Sequence, residues 1–243
     1  MEKIKFLYVE NTISRKHRKV QQQLTFFMQV ENVAYDKELD VVWAGEDGVW
    51  HTLAAKYHSM LGNDKEYWQA YISITATEKQ SLAGNIQFGV RYRIFTAEYW
   101  DNNQGQNFSS EADSGIRLAH HKLVQMISPA SALPDDQAHI PVSIAVDASF
   151  NAEQVTIHWT TDHWATTEKS ECHLKRNYWD QQFKSNARNP NQYGTQLWTG
   201  EINSGDAFRL QYVICCERDG KALWENNEGN NYAFQREQLK VLI

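Results

Sequence analysis

One nine-residue segment occurs twice in the chain: Trp100-Asp101-Asn102-Asn103-Gln104-Gly105-Gln106-Asn107-Phe108 and Trp224-Glu225-Asn226-Asn227-Glu228-Gly229-Asn230-Asn231-Tyr232. The shared pattern, W-[DE]-N-N-x-G-x-N-[FY], joins a flat ring to a carboxylate and several short amides. Asn and Gly tolerate left-handed backbone, so part of the pattern is a turn between two strands. A turn accounts for Gly105, Gly229 and some of the asparagines. It does not account for a tryptophan beside the turn in both copies, because a wet indole is costly unless it packs or binds. A ring flanked by amide donors and acceptors suits a sugar. Pyranoses offer a face of C–H groups for stacking and a rim of hydroxyls for hydrogen bonds. Turn structure and sugar contact both stand at this point.

Other reactive groups carry less. His158, Asp162 and His163 flank the loop before Trp164, but no supporting pattern accompanies them, so a solvated loop is expected and no metal. No phosphate loop, nucleophile elbow or HExxH motif is present. With no segment outside the repeated units to form a catalytic domain, no enzyme and no cofactor are expected. Cys172, Cys215 and Cys216 form no disulfide framework and are expected as reduced packing residues. A formal net charge of −6 argues against a nucleic-acid binder. No apolar run approaches the ~20 residues of a membrane helix. The N-terminal residues carry no signal-peptide pattern, and with reduced cysteines this predicts a cytoplasmic protein. The sequon Asn107-Phe108-Ser109 is then fortuitous.

The elements that position the repeated segment are themselves repeated. Trp68 and Ile72 match Trp198 and Ile202, Trp50 matches Trp164, and Trp43 matches Trp159. Phe88-Gly89-Val90-Arg91-Tyr92 is aligned with Phe208-Arg209-Leu210-Gln211-Tyr212. Eight of the nine tryptophans therefore form pairs, and Trp179 lacks a mate. Two tandem units follow, residues 1–115 and 140–243, with 116–139 a linker or the first strand of the second unit. Aromatic and β-branched runs predict strands at Leu24–Val30, Leu39–Trp43, Tyr67–Ile74 and Ile86–Ile94. The second unit repeats them at Val142–Val146, Val155–Trp159, Leu197–Ile202 and Phe208–Cys216. The basic run Arg15-Lys16-His17-Arg18-Lys19 reads as a solvated turn between the first two strands. The pattern predicts an all-β fold with one sandwich in each half. Trp43, Trp68, Phe88, Tyr92, Trp159, Trp198, Phe208 and Tyr212 are expected in the cores.

These residues carry a family resemblance. Val30-Glu31-Asn32-Val33-Ala34-Tyr35-Asp36-Lys37-Glu38-Leu39-Asp40-Val41-Val42-Trp43, Trp50, Leu53-Ala54-Ala55-Lys56-Tyr57, Tyr67-Trp68 and Trp100-Asp101-Asn102-Asn103 resemble carbohydrate-binding module family 21. Phe150, Val155, Trp159, Trp164, Trp198 and Trp224-Glu225-Asn226-Asn227 extend the resemblance through the second half. That family includes starch-binding modules of glucoamylases and glycogen-targeting regions of type-1 phosphatase regulatory subunits. The resemblance implies tandem immunoglobulin-like β-sandwiches that bind α-glucan (glycogen, starch or maltooligosaccharide) without catalysis.

Carried over residue by residue, one site would comprise Trp50 and Trp100, supported by Asp101, Asn102 and Asn103. Its second copy would comprise Trp164 and Trp224, with Glu225, Asn226 and Asn227. A third aromatic common there falls at Gly89 and Arg209. Another site would use Tyr35 and Tyr57, with Phe150 replacing Tyr35 in the second unit; a further aromatic expected near it is Lys65 here. The alternative is a regulatory or scaffold subunit that brings a phosphatase or glycogen enzyme to the polymer. Lys3-Ile4-Lys5-Phe6 resembles a phosphatase-docking motif but reads as the start of the first strand.

Overall fold

A computed structural model describes residues 3–16, 19–62, 64–120, 122–127, 132–133, 138–175 and 193–236. Every regular element among them is a strand. In the first half these are β1 (Ile4–Lys16), β2 (Lys19–Glu31), β3 (Glu38–Ala44), β4 (Trp50–Ala54), β5 (Lys56–Gly62), β6 (Lys65–Thr75), β7 (Ile86–Ile94), β8 (Ala97–Asp101), β9 (Phe108–Ser110) and β10 (Gly115–Leu118). The second half holds β11 (Val124–Ile127), β12 (Ala132–Leu133), β13 (His139–Asp147), β14 (Gln154–Thr160), β15 (Glu168–Glu171), β16 (His173–Leu174), β17 (Thr195–Asn203), β18 (Arg209–Arg218), β19 (Lys221–Glu225) and β20 (Tyr232–Arg236).

Four sheets result. The first sheet runs β10-β1-β2-β6-β5, and the second runs β4-β3-β7-β8 with β9 also on β7. The third runs β11-β13-β17-β16, and the fourth runs β12-β20-β18-β14-β15 with β19 also on β18. Period-two alternation places one row of each strand against a partner sheet. Phe6, Leu24, Phe26 and Met28 of the first sheet meet Val41, Trp43, Phe88 and Tyr92 of the second. Met126, Val142 and Ile144 of the third meet Ile157, Tyr212, Ile214 and Phe234 of the fourth. Each half is thus a two-layer sandwich.

A third apolar layer lies between the sandwiches. A bulge in β1 between Phe6 and Tyr8 supplies an extra residue, and Leu7 and Tyr8 both leave the first core. Tyr8 stacks on Phe27 at 4.3 Å between ring centroids, and Phe27 stacks on Tyr67 at 5.6 Å. The Tyr8 and Tyr67 hydroxyls share a 2.7 Å hydrogen bond. These rings, with Ile116, meet Ile127, Ala145 and Leu197 of the third sheet. The order of layers is therefore second sheet, first sheet, third sheet, fourth sheet.

The segment 116–139 is divided between the halves. Gly115–Leu118 pairs with β1, whereas Val124–Ile127 pairs with β13. Of the basic run, Arg15 and Lys16 end β1 and Lys19 begins β2, with Lys16 paired to Lys19; His17 and Arg18 lie outside the described residues. Trp43, Phe88, Tyr92 and Tyr212 are buried, and Trp68, Trp159 and Trp198 pack partly buried against the cores. Phe208 departs from expectation: it lies outside β18 and is exposed. Ladder register explains why. Trp43 pairs with Phe88, and Trp159 pairs with Tyr212, so Phe88 is the counterpart of Tyr212 rather than Phe208. The counterpart of Gly89 is accordingly Val213, not Arg209. Trp179 lies outside the described residues.

Candidate functional site

The repeated motif builds one loop twice. Trp100 is the penultimate residue of β8 and Phe108 begins β9, and both strands pair with β7. The intervening residues leave the sheet beside Gly89, where an added Cβ would stand 3.0 Å from the Asn102 Cβ. Asn103, Gln104, Gly105 and Asn107 have positive φ (53°, 57°, 90°, 58°). Asn227, Glu228, Gly229 and Asn231 repeat those values (52°, 58°, 90°, 59°). Asn102 Oδ1 accepts from Gly105 N at 3.0 Å, and Asn226 Oδ1 accepts from Gly229 N at 2.9 Å. Asn103 and Asn227 donate through Nδ2 to the Asn107 and Asn231 carbonyls, each at 3.2 Å. Asp101 accepts from Phe6 N at 2.8 Å. Much of the amide and carboxylate chemistry of the motif is thus consumed in holding the loop.

The rings are held differently. Trp100 pairs with Arg91, and Trp50 pairs with Ala44, which places both on the outer face of the second sheet. They are 41% and 49% exposed. Trp100 sits on the last strand and Trp50 on the opposite edge, three strand spacings across and four residues along the strands, about 20 Å apart in all. The Arg91 guanidinium lies 5.3 Å from the Trp100 ring centroid, and Trp100 Nε1 donates to Glu98 at 2.6 Å. Asp40, buried beneath, receives Arg91 and Arg93 at 2.8 Å each. Beside Trp50 a cavity of about 390 Å³ opens, lined also by Glu46, Asn85, Gln87, Ser109 and Glu111. These polar residues come from three separated segments, so no local sequence pattern marks them.

The second half repeats the placement of one ring and not of the other. Trp224, 49% exposed, pairs with Cys215 on the outer face of the fourth sheet and meets the His158 ring edge-on at 4.8 Å. Trp164 is only partly exposed and occupies the turn before β15 rather than the strand. Asp162 organises that turn. It accepts from Thr160 Oγ1 and Thr166 Oγ1 at 2.7 Å and from Thr166 N at 2.9 Å. These hydrogen bonds, led by the Thr166 amide, lower its carboxyl to about 2. Thr160 Oγ1 in turn accepts from Trp164 N at 3.1 Å. Burial, reinforced by Lys169, lowers the His158 pKa, so the ring beside Trp224 is neutral at pH 7. Among the described residues, no group of three His, Cys, Asp or Glu is placed to hold a metal ion.

Two profile matches of the family described as carbohydrate/starch-binding module (family 21) cover residues 5–111 and 124–235, one on each sandwich. The chain belongs to this family. It carries two copies of the module. It is also similar to Glucoamylase 1 of Rhizopus oryzae, 31% identical over 84 residues, which are 32% of this chain and 13% of that protein's length. Among solved structures it is similar to the starch-binding domain of Rhizopus oryzae glucoamylase in complex with β-cyclodextrin and maltoheptaose. That likeness has 20% identity and a TM-score of 0.33, over 46% of this chain and 95% of that one. The carbohydrate-binding module of the muscle glycogen-targeting subunit of Protein Phosphatase-1 gives 20% identity and a TM-score of 0.27, over 36% of this chain and 63% of that one.

The remaining positions of the two family 21 modules differ in kind. Tyr35 is fully exposed on the β2–β3 loop, and Tyr57 is exposed on β5. Both segments are fastened to β6. Lys37, from the Tyr35 loop, donates to both Glu66 oxygens at 2.7 and 2.8 Å, and Tyr57 meets Trp68 edge-on at 6.0 Å. Phe95, which periodicity assigned to no site, stands at the β7–β8 hairpin tip, 87% exposed and with φ of 51°. An exposed ring on left-handed backbone is unfavourable twice over. Phe150 differs from Tyr35: it packs partly buried against the second core, and its counterpart by register is Ala34. Lys65, where an aromatic was expected, pairs with Glu228 of the other module. Asn227 is buried and Glu225 binds Lys122 at 3.2 Å. Lys3-Ile4-Lys5-Phe6 enters β1, with Ile4 and Phe6 buried and Lys5 bound to Glu228.

Proposed function

We propose that the protein binds α-glucan (glycogen, starch or a maltooligosaccharide) without catalysing its conversion. The observation that carries this reading is the exposed indole on the outer sheet face of each family 21 module, Trp100 in the first and Trp224 in the second, with Trp50 on the same face as Trp100 and Trp164 in the turn before β15. Trp50 and Trp100 form one platform; Trp164 and Trp224 form the other. Sugar rings stack on the indoles while hydroxyls meet side chains at the rim. In the first module that rim includes Gln87 and Glu46 beside Trp50. Tyr35 and Tyr57 offer a smaller surface at one end of the same module. The motif amides act mainly through the loop they build, and Asp101, Asn102 and Asn103 keep Trp100 in place. No helix of the described residues is long and apolar enough to cross a membrane.

Affinity electrophoresis in glycogen or amylose gels tests the reading. Wild-type protein is expected to be retarded, Trp50→Ala/Trp100→Ala and Trp164→Ala/Trp224→Ala each to lose part of the retardation, and the fourfold variant to lose nearly all. A folded wild type that migrates freely in every α-glucan removes the proposal. Because stacking rather than charge drives contact, retardation should change little with added salt.

A further inference from the structure

Trp50 and Trp100 of one module and Trp224 of the other lie on the outermost faces of a four-layer stack. The first sheet turns its outer face toward the third, through Tyr8, Phe27, Tyr67, Ile116, Ile127 and Leu197. Each platform therefore sits on the far side of its own sandwich from that junction. With sheets stacked at about 10 Å, the faces are roughly 30 Å apart and point away from one another.

The junction holds that arrangement with more than apolar contact. The second motif loop, the counterpart of the solvent-facing Asn103-Gln104 turn, is docked on the first module. Asn227, 4% exposed, donates through Nδ2 to the Leu61 carbonyl at 2.7 Å, in addition to its bond within the loop. Glu228 receives Lys5 at 2.7 Å and also binds Lys65. Burial would raise the Glu228 carboxyl, but hydrogen bonds and charge from the two lysines outweigh it and hold it at about 2. Lys122 reaches Glu225 beside the same loop. Three lysines of the first half and connecting segment thus clasp two glutamates of the second motif.

We infer that the protein is a bridge between separate glucan chains: a rigid molecule with two back-to-back platforms that a single short glucan cannot span. The inference rests on the glucan-binding reading above and adds the geometry of engagement. An effective-concentration gain requires that both sites reach one ligand. Opposed faces deny this to a short oligosaccharide and offer it only to a long or branched polymer. Between polymer particles the same geometry produces cross-links, which a flexible pair of domains folding back on one chain would not favour.

Two measurements on the full chain separate the levels of the argument. Calorimetric titration with maltoheptaose should show both platforms filling independently, with the affinity of each unchanged when the other is removed by Trp50→Ala/Trp100→Ala or Trp164→Ala/Trp224→Ala. Light scattering of glycogen should rise on adding wild type, pass through a maximum near equivalence, and fall at excess protein. Either double variant should still bind maltoheptaose yet raise scattering at least tenfold less. Wild-type affinity for maltoheptaose that exceeds each double variant by tenfold or more would mean that the faces cooperate on one chain, and the bridge would be wrong. So would scattering that persists in both double variants, or no scattering from a wild type that binds maltoheptaose at both platforms. An absence of binding to both maltoheptaose and glycogen sinks the underlying glucan reading instead.

Discussion

Single residues decide how each indole is presented. Asp162 is fully exposed, yet three hydrogen bonds organise the turn that bears Trp164. A carboxylate with a depressed pKa contributes its stability above the ordinary value of 3.8 and loses it as pH falls toward about 2. The Trp164 platform should thus survive mild acid. Asp162→Ala is expected to weaken glucan retardation several-fold in the Trp50→Ala/Trp100→Ala background and to change it little in the Trp164→Ala/Trp224→Ala background. Glu10 behaves oppositely. It lies beside Ile116 and Thr25 in the first sheet, and burial raises its carboxyl to about 7. The protonated form is favoured by folding, so its contribution is complete below the ordinary 4.5 and is lost as pH climbs through about 7. Glu10→Gln should stabilise the protein at pH 8, by up to about 3 kcal/mol, and change little at pH 4, as chemical denaturation at the two pH values will report.

At the scale of elements, the two motif loops are the same object in different surroundings. Asn103→Ala removes a brace within a solvent-facing loop. Asn227→Ala removes the equivalent brace and also leaves the buried Leu61 carbonyl without its donor. Leaving such a group unpaired costs about 1–3 kcal/mol, so Asn227→Ala should lower the thermal midpoint distinctly more than Asn103→Ala. Gly89→Ala crowds Asn102 and should disturb Trp100, measurable as reduced glucan retardation with little loss of secondary structure.

Strands were legible because aromatic and β-branched residues alternate along them, and the tryptophan pairs gave the duplication. Register was not. Matching Phe88 to Phe208 instead of Tyr212 is an error of four residues, an even shift that leaves every side chain on the same face. Inside–outside pattern alone cannot detect it; the cross-strand partners Trp43 and Trp159 do. The polar wall beside Trp50 was illegible for another reason, since Glu46, Gln87 and Glu111 meet only after three segments converge. The docking role of Asn227 and Glu228 was hidden because their loop is spelled almost like its free copy.

For the whole molecule, the middle apolar layer makes two modules behave as one. Phe26 and Phe27 are adjacent on β2 and face opposite sides, yet both are buried. A strand with apolar residues on both faces belongs between two layers, a signal that the sequence carried in Thr25-Phe26-Phe27-Met28. Heating should therefore produce a single cooperative transition. Leu197→Asp places a charge against the Tyr8–Phe27–Tyr67 stack and is expected to split that transition in two or lower it by 10 °C or more, on the order of 3–5 kcal/mol for an unpaired buried charge. Calorimetry distinguishes these outcomes from an unaffected melt, which would show that the modules unfold independently.

The same layer bears on how the modules can be studied. Cutting the chain between Leu118 and Val124 would bare Tyr8, Phe27, Tyr67 and Ile116 on one fragment and Ile127 and Leu197 on the other. Such a contiguous greasy surface invites self-association. Fragments that clump would mimic multivalent behaviour with no sugar present. Dissection by point substitution in the intact chain avoids that artefact, and any fragment would first need polar replacements across its newly bared face.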